Sequence, residues 1–249
     1  MHPVAILSAM DQEISSVERL VADPVTYDAL GRRFRTGSIL GCEVVTAITG
    51  YGKVAAAATT AVVLNRFQPR MVVFAGVAGG IGRDVNIGDV VVADHLIQHD
   101  YDASPIFDPY VIPSLGVAEI PTNPDLTEQL VAAVARFVHS RASTDIEAPS
   151  RYARGATGVH RGLVASGDRF ISDPDEAADL RRRLPSVLAV EMEGAAVAQV
   201  CAESRVPFAL FRIISDRADA DAAVDFLSFV STVSAPFAAG IVGEFLTTC

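Results

Sequence analysis

No stretch of this 249-residue chain approaches the roughly 20 consecutive apolar residues needed to span a bilayer, although half of its residues are hydrophobic. The apolar runs are short and broken by charges, so a soluble protein with no membrane partner is expected. The N-terminus lacks a basic region followed by an apolar core, which argues against a secretory leader and for a cytoplasmic protein. Cysteine is scarce: Cys42, Cys201 and Cys249 have no C-x-x-C spacing, a pattern that fits reduced thiols rather than a disulfide frame. Positive charge is in deficit, with 20 Lys and Arg against 30 Asp and Glu and a formal net charge of -10. Such a chain repels polyanions, so nucleic acid is excluded as an expected partner, whereas a free nucleoside carries no phosphate and is not. A Walker A sequence is also missing. Nothing reads as a linker, and residues 1–249 are taken as a single domain.

What is present is an alternation of strand and helix. Val4 to Leu7 has the short continuous apolar character of a strand covered on both faces. Ile14, Val17, Leu20 and Val21 then recur at helical spacing after Glu13. Arg33 to Ile39 and Glu43 to Ile48 read as a hairpin around Gly41. Strands are predicted at Met71 to Ala75, Val85 to Ala93, Leu96 to His99, Gly162 to Ser166, Leu188 to Val190 and Pro207 to Ile214. Helices are predicted from Asp125 through Val138, at Asp175 to Leu184 and at Gly194 to Glu203, with a last one from Phe226 to Leu246 kinked at Pro236. Two irregular insertions interrupt this order, near 102–121, rich in proline, and near 139–160, polar and arginine-bearing. The expected fold class is α/β, three layers of α/β/α around a central mixed, twisted sheet.

Two glycine-rich segments follow strands. Gly50, Gly52 and Ala55 form G-x-G-x-x-A, the form of a dinucleotide-binding fingerprint. That fingerprint wants an acid at the end of the next strand to hold a ribose hydroxyl. The next strand ends instead in Gly76, so no nicotinamide cofactor is expected. Gly76-Val77-Ala78-Gly79-Gly80-Ile81-Gly82 reads as a second glycine turn, where backbone can approach a ligand closely. His95 and His99 have the i, i+4 spacing of a helical metal pair, with Asp94, Asp100 and Asp102 nearby. Their run reads as strand, and no metal is expected.

Carboxylates stand just past three strands, where an open α/β sheet binds its ligands. Glu191 and Glu193 follow Leu188 to Val190; Glu13 follows Val4 to Leu7 and Met10; Asp216 follows Phe208 to Ile214 and Ser215. If extended chain persists through Met192, both glutamates point to one side and Met192 to the other; if helix begins at Glu191, they diverge. Each acid has a structural alternative as well. Glu191, Glu193 and Glu13 suit a first helical turn, and Asp216 suits a turn cap.

Six segments together resemble the purine nucleoside phosphorylase and nucleosidase superfamily, and within it the 5'-methylthioadenosine/S-adenosylhomocysteine nucleosidases. They are Ser8-Ala9-Met10-Asp11-Gln12-Glu13-Ile14, Gly50-Tyr51-Gly52-Lys53-Val54-Ala55, Gly76-Val77-Ala78-Gly79-Gly80, Ser166-Gly167-Asp168-Arg169-Phe170-Ile171, Val190-Glu191-Met192-Glu193-Gly194 and Ile214-Ser215-Asp216. The resemblance implies cleavage of an N-glycosidic bond to adenine, without cofactor or metal, by a homodimer. It implies Asp216 as the acid at adenine N7, oriented by Ser215, Glu13 as the group that activates water, and Glu193 on the ribose hydroxyls. It further implies that Met10, Val77, Ala78 and Gly79 line the ribose and base site. Arg212 would hold an acid ionised, Met192 and Phe226 would pack on sugar and base, Phe170 would stack on adenine, and Ile171 would offer main-chain groups to its polar edge. Met192, Phe170 and Phe226 are equally acceptable as core, and Glu191 as structure. Segment 102–121 is either a loop packed on its own body or a lid or dimer-interface loop bordering the 5'-substituent.

An aspartate of ordinary pKa, about 3.9, holds no proton at neutral pH. Burial at the end of an apolar run is the expected means of raising Asp216. Phosphorylases of the superfamily use a hydroxyl in the Gly76 to Gly82 turn, with arginines, to hold phosphate. Val77 stands there without a donor, and Glu13 would repel a dianion, so water is the expected nucleophile. The alternatives are a phosphate-dependent purine nucleoside phosphorylase, a non-catalytic nucleoside-binding or storage protein, and an aminodeoxyfutalosine nucleosidase.

Overall fold

The computed structural model describes residues 2–142, 157–218 and 226–248, and among these ten strands join one mixed sheet. The apolar runs supply its centre. β1 (Val4–Ser8) pairs in parallel with β5 (Met71–Gly80), and β5 with β10 (Phe208–Asp216). These strands are buried on both faces because helices cover both. Ala209, Phe211 and Ile213 of β10 pack with Ile14 and Val17 of α1 (Asp11–Glu18), Leu130 and Val134 of α3 (Pro124–Ala142) and Ile241 of α7 (Ala235–Leu246). Phe208, Leu210 and Ile214 point the other way, toward Ala56 and Val63 of α2 (Lys53–Phe67) and Val197 of α5 (Gly194–Glu203). Two apolar faces at period two, each under its own helices, make the three expected layers. Each fully buried aliphatic side chain contributes about 1.5–3 kcal/mol.

On one side the sheet continues through β4 (Cys42–Ile48), parallel to β1, and β3 (Arg32–Ile39), antiparallel to β4. Their link is a tight turn with positive φ at Leu40 and Gly41, the geometry that suits a two-residue hairpin. Beyond β3 lies β2 (Ala22–Ala29), almost wholly exposed. Sequence reading missed it because an edge strand without a buried face shows no apolar alternation. Its Pro24 is tolerable only where no further strand needs that amide. Correspondingly, α1 stops at Glu18 rather than continuing through Val21.

On the other side the sheet rolls onto itself. β6 (Val90–Gln98) runs antiparallel to β10 and parallel to β8 (Val159–Ser166); β8 runs parallel to β9 (Val187–Glu191), and β9 antiparallel to β5. With the β5–β10 pairing these five strands form a closed ring. Closure corrects the expected glycine turn at Gly76 to Gly80. The strand continues through it, because small residues are needed where strands cross: a Cβ on Gly80 would stand 2.9 Å from Ile214. The two strands expected at Val85 to Ala93 and Leu96 to His99 are likewise one, beginning at Val90 after a turn.

The 102–121 segment is mostly turns, with a bridge between Ile112 and Val117 and the short β7 (Glu119–Pro121), which pairs with β6. The second expected insertion is narrower than 139–160, since α3 reaches Ala142 and β8 starts at Val159; residues 143–156 lie outside the described residues. α4 (Pro174–Arg183) is capped by Asp173, whose side chain accepts the Asp175 amide. The final helix is interrupted, though before Pro236: α6 (Phe226–Phe229) passes through a wide π turn, Val230–Ser234, into α7. Proline lacks an amide and crowds the carbonyl four residues back, which a widened turn relieves. Cys201 is a free buried thiol. Among the described residues no helix is long and apolar enough to cross a membrane.

Candidate active site

The carboxyl ends of β1, β5, β9 and β10 meet around a cavity that opens to solvent. Its wall contains Met10, Glu13, Val77, Ala78, Gly79, Phe170, Ile171, Glu191, Met192, Glu193, Ser215 and Asp216, all named from the sequence. Ala9, Tyr51, Arg169 and Val190 complete it and were missed as site residues. All four stand within the six segments that carry the family resemblance, and Ala9, Arg169 and Val190 each flank a named site residue. Two sequence candidates stand elsewhere. Arg212 lies behind the wall, 2% exposed, and Phe226 starts α6 with its side chain outside the described residues.

Glu13 is the third residue of α1 and turns back onto the loop that precedes it. Its Oε2 accepts the amides of Ala9 and Met10, each at 2.9 Å, and its Oε1 accepts the amide of Val77 at 2.9 Å. Burial raises its pKa; Arg212 and these amides pull the other way and do not offset it. A Cβ on Gly76 would come within 2.8 Å of Glu13 Oε1, so the glycine is what admits the carboxylate to this place.

Behind the cavity Arg212 and Glu191 form a buried ion pair, Nη2 to Oε2 at 2.7 Å. Arg212 Nη1 also donates to the carbonyls of Phe74 and Phe211, and its guanidinium lies 4.2 Å from the centre of the Phe74 ring. Glu191 accepts the Gly194 amide on both oxygens, at 2.9 and 2.8 Å, the Glu193 amide at 3.2 Å, and the Ser166 hydroxyl. Ser166 in turn accepts the Ala195 amide. Glu191 thus satisfies the first amides of α5, the arrangement a helix N-terminus favours. The chain bends at Met192 and Glu193, so neither simple geometry applies: both glutamates and Met192 face the cavity.

Glu193 Oε1 accepts the amide of Gly52 at 2.7 Å. Its pKa is raised to about 8, first by burial and then by the neighbouring Glu191 charge. At the far end Asp216 is 6% exposed. Its Oδ2 accepts from the Ser215 hydroxyl at 2.7 Å and its Oδ1 from the Ala218 amide at 2.8 Å.

The G-x-G-x-x-A segment has the strand–turn–helix form of its fingerprint, with another anion at the helix start. Gly52 donates to Glu193 and Lys53 to Asp168, so the first amides of α2 hold the protein's own carboxylates rather than a pyrophosphate. His95 bonds the side chain of Asp94, and His99 packs against Gly167. Among the described residues no three His, Cys, Asp or Glu groups are placed to hold a metal ion.

A family model described as the phosphorylase superfamily matches residues 3–247. The chain belongs to the phosphorylase superfamily. A superfamily relative, the 5'-methylthioadenosine/S-adenosylhomocysteine nucleosidase of Oceanobacillus iheyensis, is 34% identical over 92% of this chain and 92% of its own. The Neisseria meningitidis nucleosidase of the same name, solved with methylthio-immucillin-A, superposes with a TM-score of 0.88 at 31% identity over 100% of both chains. The Colwellia psychrerythraea nucleosidase, solved with adenine, gives a TM-score of 0.86 at 29% identity, covering 99% of this chain and 95% of that one.

Proposed function

We propose that this protein is an N-glycosyl hydrolase of 5'-substituted adenosines, taking methylthioadenosine and S-adenosylhomocysteine to adenine and the 5-thio-substituted ribose. The nucleosidases it resembles over 92% or more of their length support the reaction class. One local observation carries the choice of water over phosphate: the amides of Ala9, Met10 and Val77 converge on the Glu13 carboxylate. Converging amides make an anion cradle. Here the cradle exists, and the chain has filled it with its own acid.

The roles are those the family resemblance implies. Asp216 delivers a proton to adenine N7 while the bond from base nitrogen to anomeric carbon breaks, and its electrons pass to the base. Glu13 takes a proton from the water whose oxygen bonds the anomeric carbon. Asp216 loses one proton and Glu13 gains one, so the pair is reset by exchange with solvent. The upward shift of Glu13 gives it the basicity this needs. Glu193 receives the ribose hydroxyls, and Glu191 with Arg212 forms the fixed base beneath it. Phe170 and Met192 supply apolar contact to base and sugar, and Ile171 its main chain to the adenine edge.

Methylthioadenosine in phosphate-free buffer should yield free adenine at a rate unaffected by added phosphate. Strict phosphate dependence with ribose 1-phosphate as product would establish a phosphorylase; tight adenine binding without turnover, a binding protein. A panel of 5'-substituted adenosines, aminodeoxyfutalosine included, fixes the substituent. The homodimer is part of the same reading. Val54 on α2, with Ile106 and Phe107 in 102–121, are exposed apolar residues that such an interface would cover. Sedimentation equilibrium measures it.

A further inference from the structure

Lys53, Asp100 and Asp168 close a ring of charged contacts beside the cavity without lining it. The Lys53 amide donates to Asp168 Oδ1 at 2.9 Å, the Asp168 amide donates to Asp100 Oδ2 at 2.8 Å, and Lys53 Nζ donates to Asp100 Oδ1 at 2.5 Å. Lys53 Nζ also stands 3.8 Å from Asp168 Oδ2. Three loops that are distant in sequence meet here: the start of α2, the segment after β6 and the segment after β8. The Lys53 side chain is 15% exposed, and those of Asp100 and Asp168 are 31% and 51% exposed. Each carboxylate is also held by a backbone amide, so the ring is a linked network rather than an isolated surface pair.

The ring bears on the site through one peptide. Gly52 sits in the left-handed region, φ 82°, with its amide on Glu193. The amide that follows, that of Lys53, is the one tied to Asp168. A Cβ on Gly52 would reach 3.0 Å from Asp168 Oδ1, so the same carboxylate fixes this peptide from the outer side. Two successive amides are therefore held by two carboxylates, one in the cavity and one in the ring.

We propose that Lys53, Asp100 and Asp168 are positioning residues for the reaction, acting through the Gly52 amide to hold Glu193 where it meets the ribose hydroxyls. The inference rests on the role proposed for Glu193. Around that carboxylate the charged groups are Glu191 from β9, Arg212 from β10 and Glu13 from α1. Around the ring they are His99 and Arg183. Releasing the Gly52 amide removes a donor that favours ionised Glu193, and the acid limb of the rate profile should move to higher pH.

The test uses Lys53→Met, Asp100→Asn and Asp168→Ala in the full chain, with kcat and KM for methylthioadenosine across pH and a thermal melt as a check on folding. The expected result is a fall of about tenfold in kcat/KM with folded protein, an acid limb displaced upward, and little further loss when each change is added to Glu193→Gln, since coupled residues are not additive. Wild-type kinetics in all three variants, losses that multiply with Glu193→Gln, or a reduced rate with an unmoved acid limb would each overturn the inference. If one variant fails to fold, the remaining two decide. If Glu193→Gln alone retains full kcat/KM, the role of Glu193 itself is wrong and the inference falls with it; a damaged Glu193→Gln beside unaffected ring variants sinks only the ring.

Discussion

Glu13 Oε1 and the amide of Val77 are 2.9 Å apart, which joins the first turn of α1 to the glycine-rich end of β5 across 64 residues of sequence. On the proposed reading, that contact fills with the chain's own carboxylate the amides that would otherwise hold an incoming dianion. It also determines what the substitutions below should do.

Glu13→Gln should lower adenine release by about 100-fold or more, the usual contribution of a general base. The amide side chain still fills the cradle, so added phosphate should not restore the rate. Steady-state kinetics with and without phosphate check both statements.

Asp216→Asn should cost about 100-fold or more in kcat, because an amide gives the departing base no acidic proton. Ser215→Ala, which removes the 2.7 Å hydrogen bond to Asp216, should have a smaller effect in the same direction. Near-wild-type turnover by the Asp216→Asn variant would leave the acid unassigned.

Gly79→Ala tests the close packing around that acid. The added methyl would stand 2.9 Å from Asp216 Oδ1 and 3.1 Å from Ala218, displacing the carboxylate. A fall in kcat larger than the rise in KM is expected, measured with methylthioadenosine.

Arg212→Met should destabilise the fold by about 3–5 kcal/mol, since it leaves Glu191 buried without its cation. Adding Glu191→Gln should recover part of that loss. Denaturant titration of the two single variants and the double variant reads the coupling.

Glu193 predicts a pH dependence of stability. Its folded pKa, about 8, lies above the ordinary glutamate value of 4.5, so between these values the folded chain binds more protons than the unfolded one. Stability from this group is fully present below about pH 4.5 and is lost as pH rises through about 8. Glu13 is shifted in the same direction. Glu193→Gln should flatten the decline, as measured by chemical denaturation at pH 5 and pH 8.

The local elements were legible where burial imposes a period. The run from Phe208 to Ile214 announced a central strand because both of its faces are covered, and Gly194 to Glu203 announced a helix whose bounds the structure reproduces. β2 was illegible because, exposed along its length, it obeys no apolar alternation. The residues around the cavity were legible for another reason. In an α/β sheet the strand ends mark the ligand site, so Glu13, Glu191, Glu193 and Asp216 could be grouped by position and by family resemblance before any coordinates.

The sequence by itself determined the alternation of strand and helix, the two apolar faces of the central strands and the acids at their ends, because these follow from residue order and side-chain chemistry within a few positions. Tertiary structure alone decided that the sheet closes through β5, β10, β6, β8 and β9, that Arg212 stands behind the cavity beside Glu191, and that the amide of Gly52 holds Glu193, 141 residues away. Those contacts join segments with no local relation. Chain folding brings them together, and their strength comes from exclusion of water after it has done so.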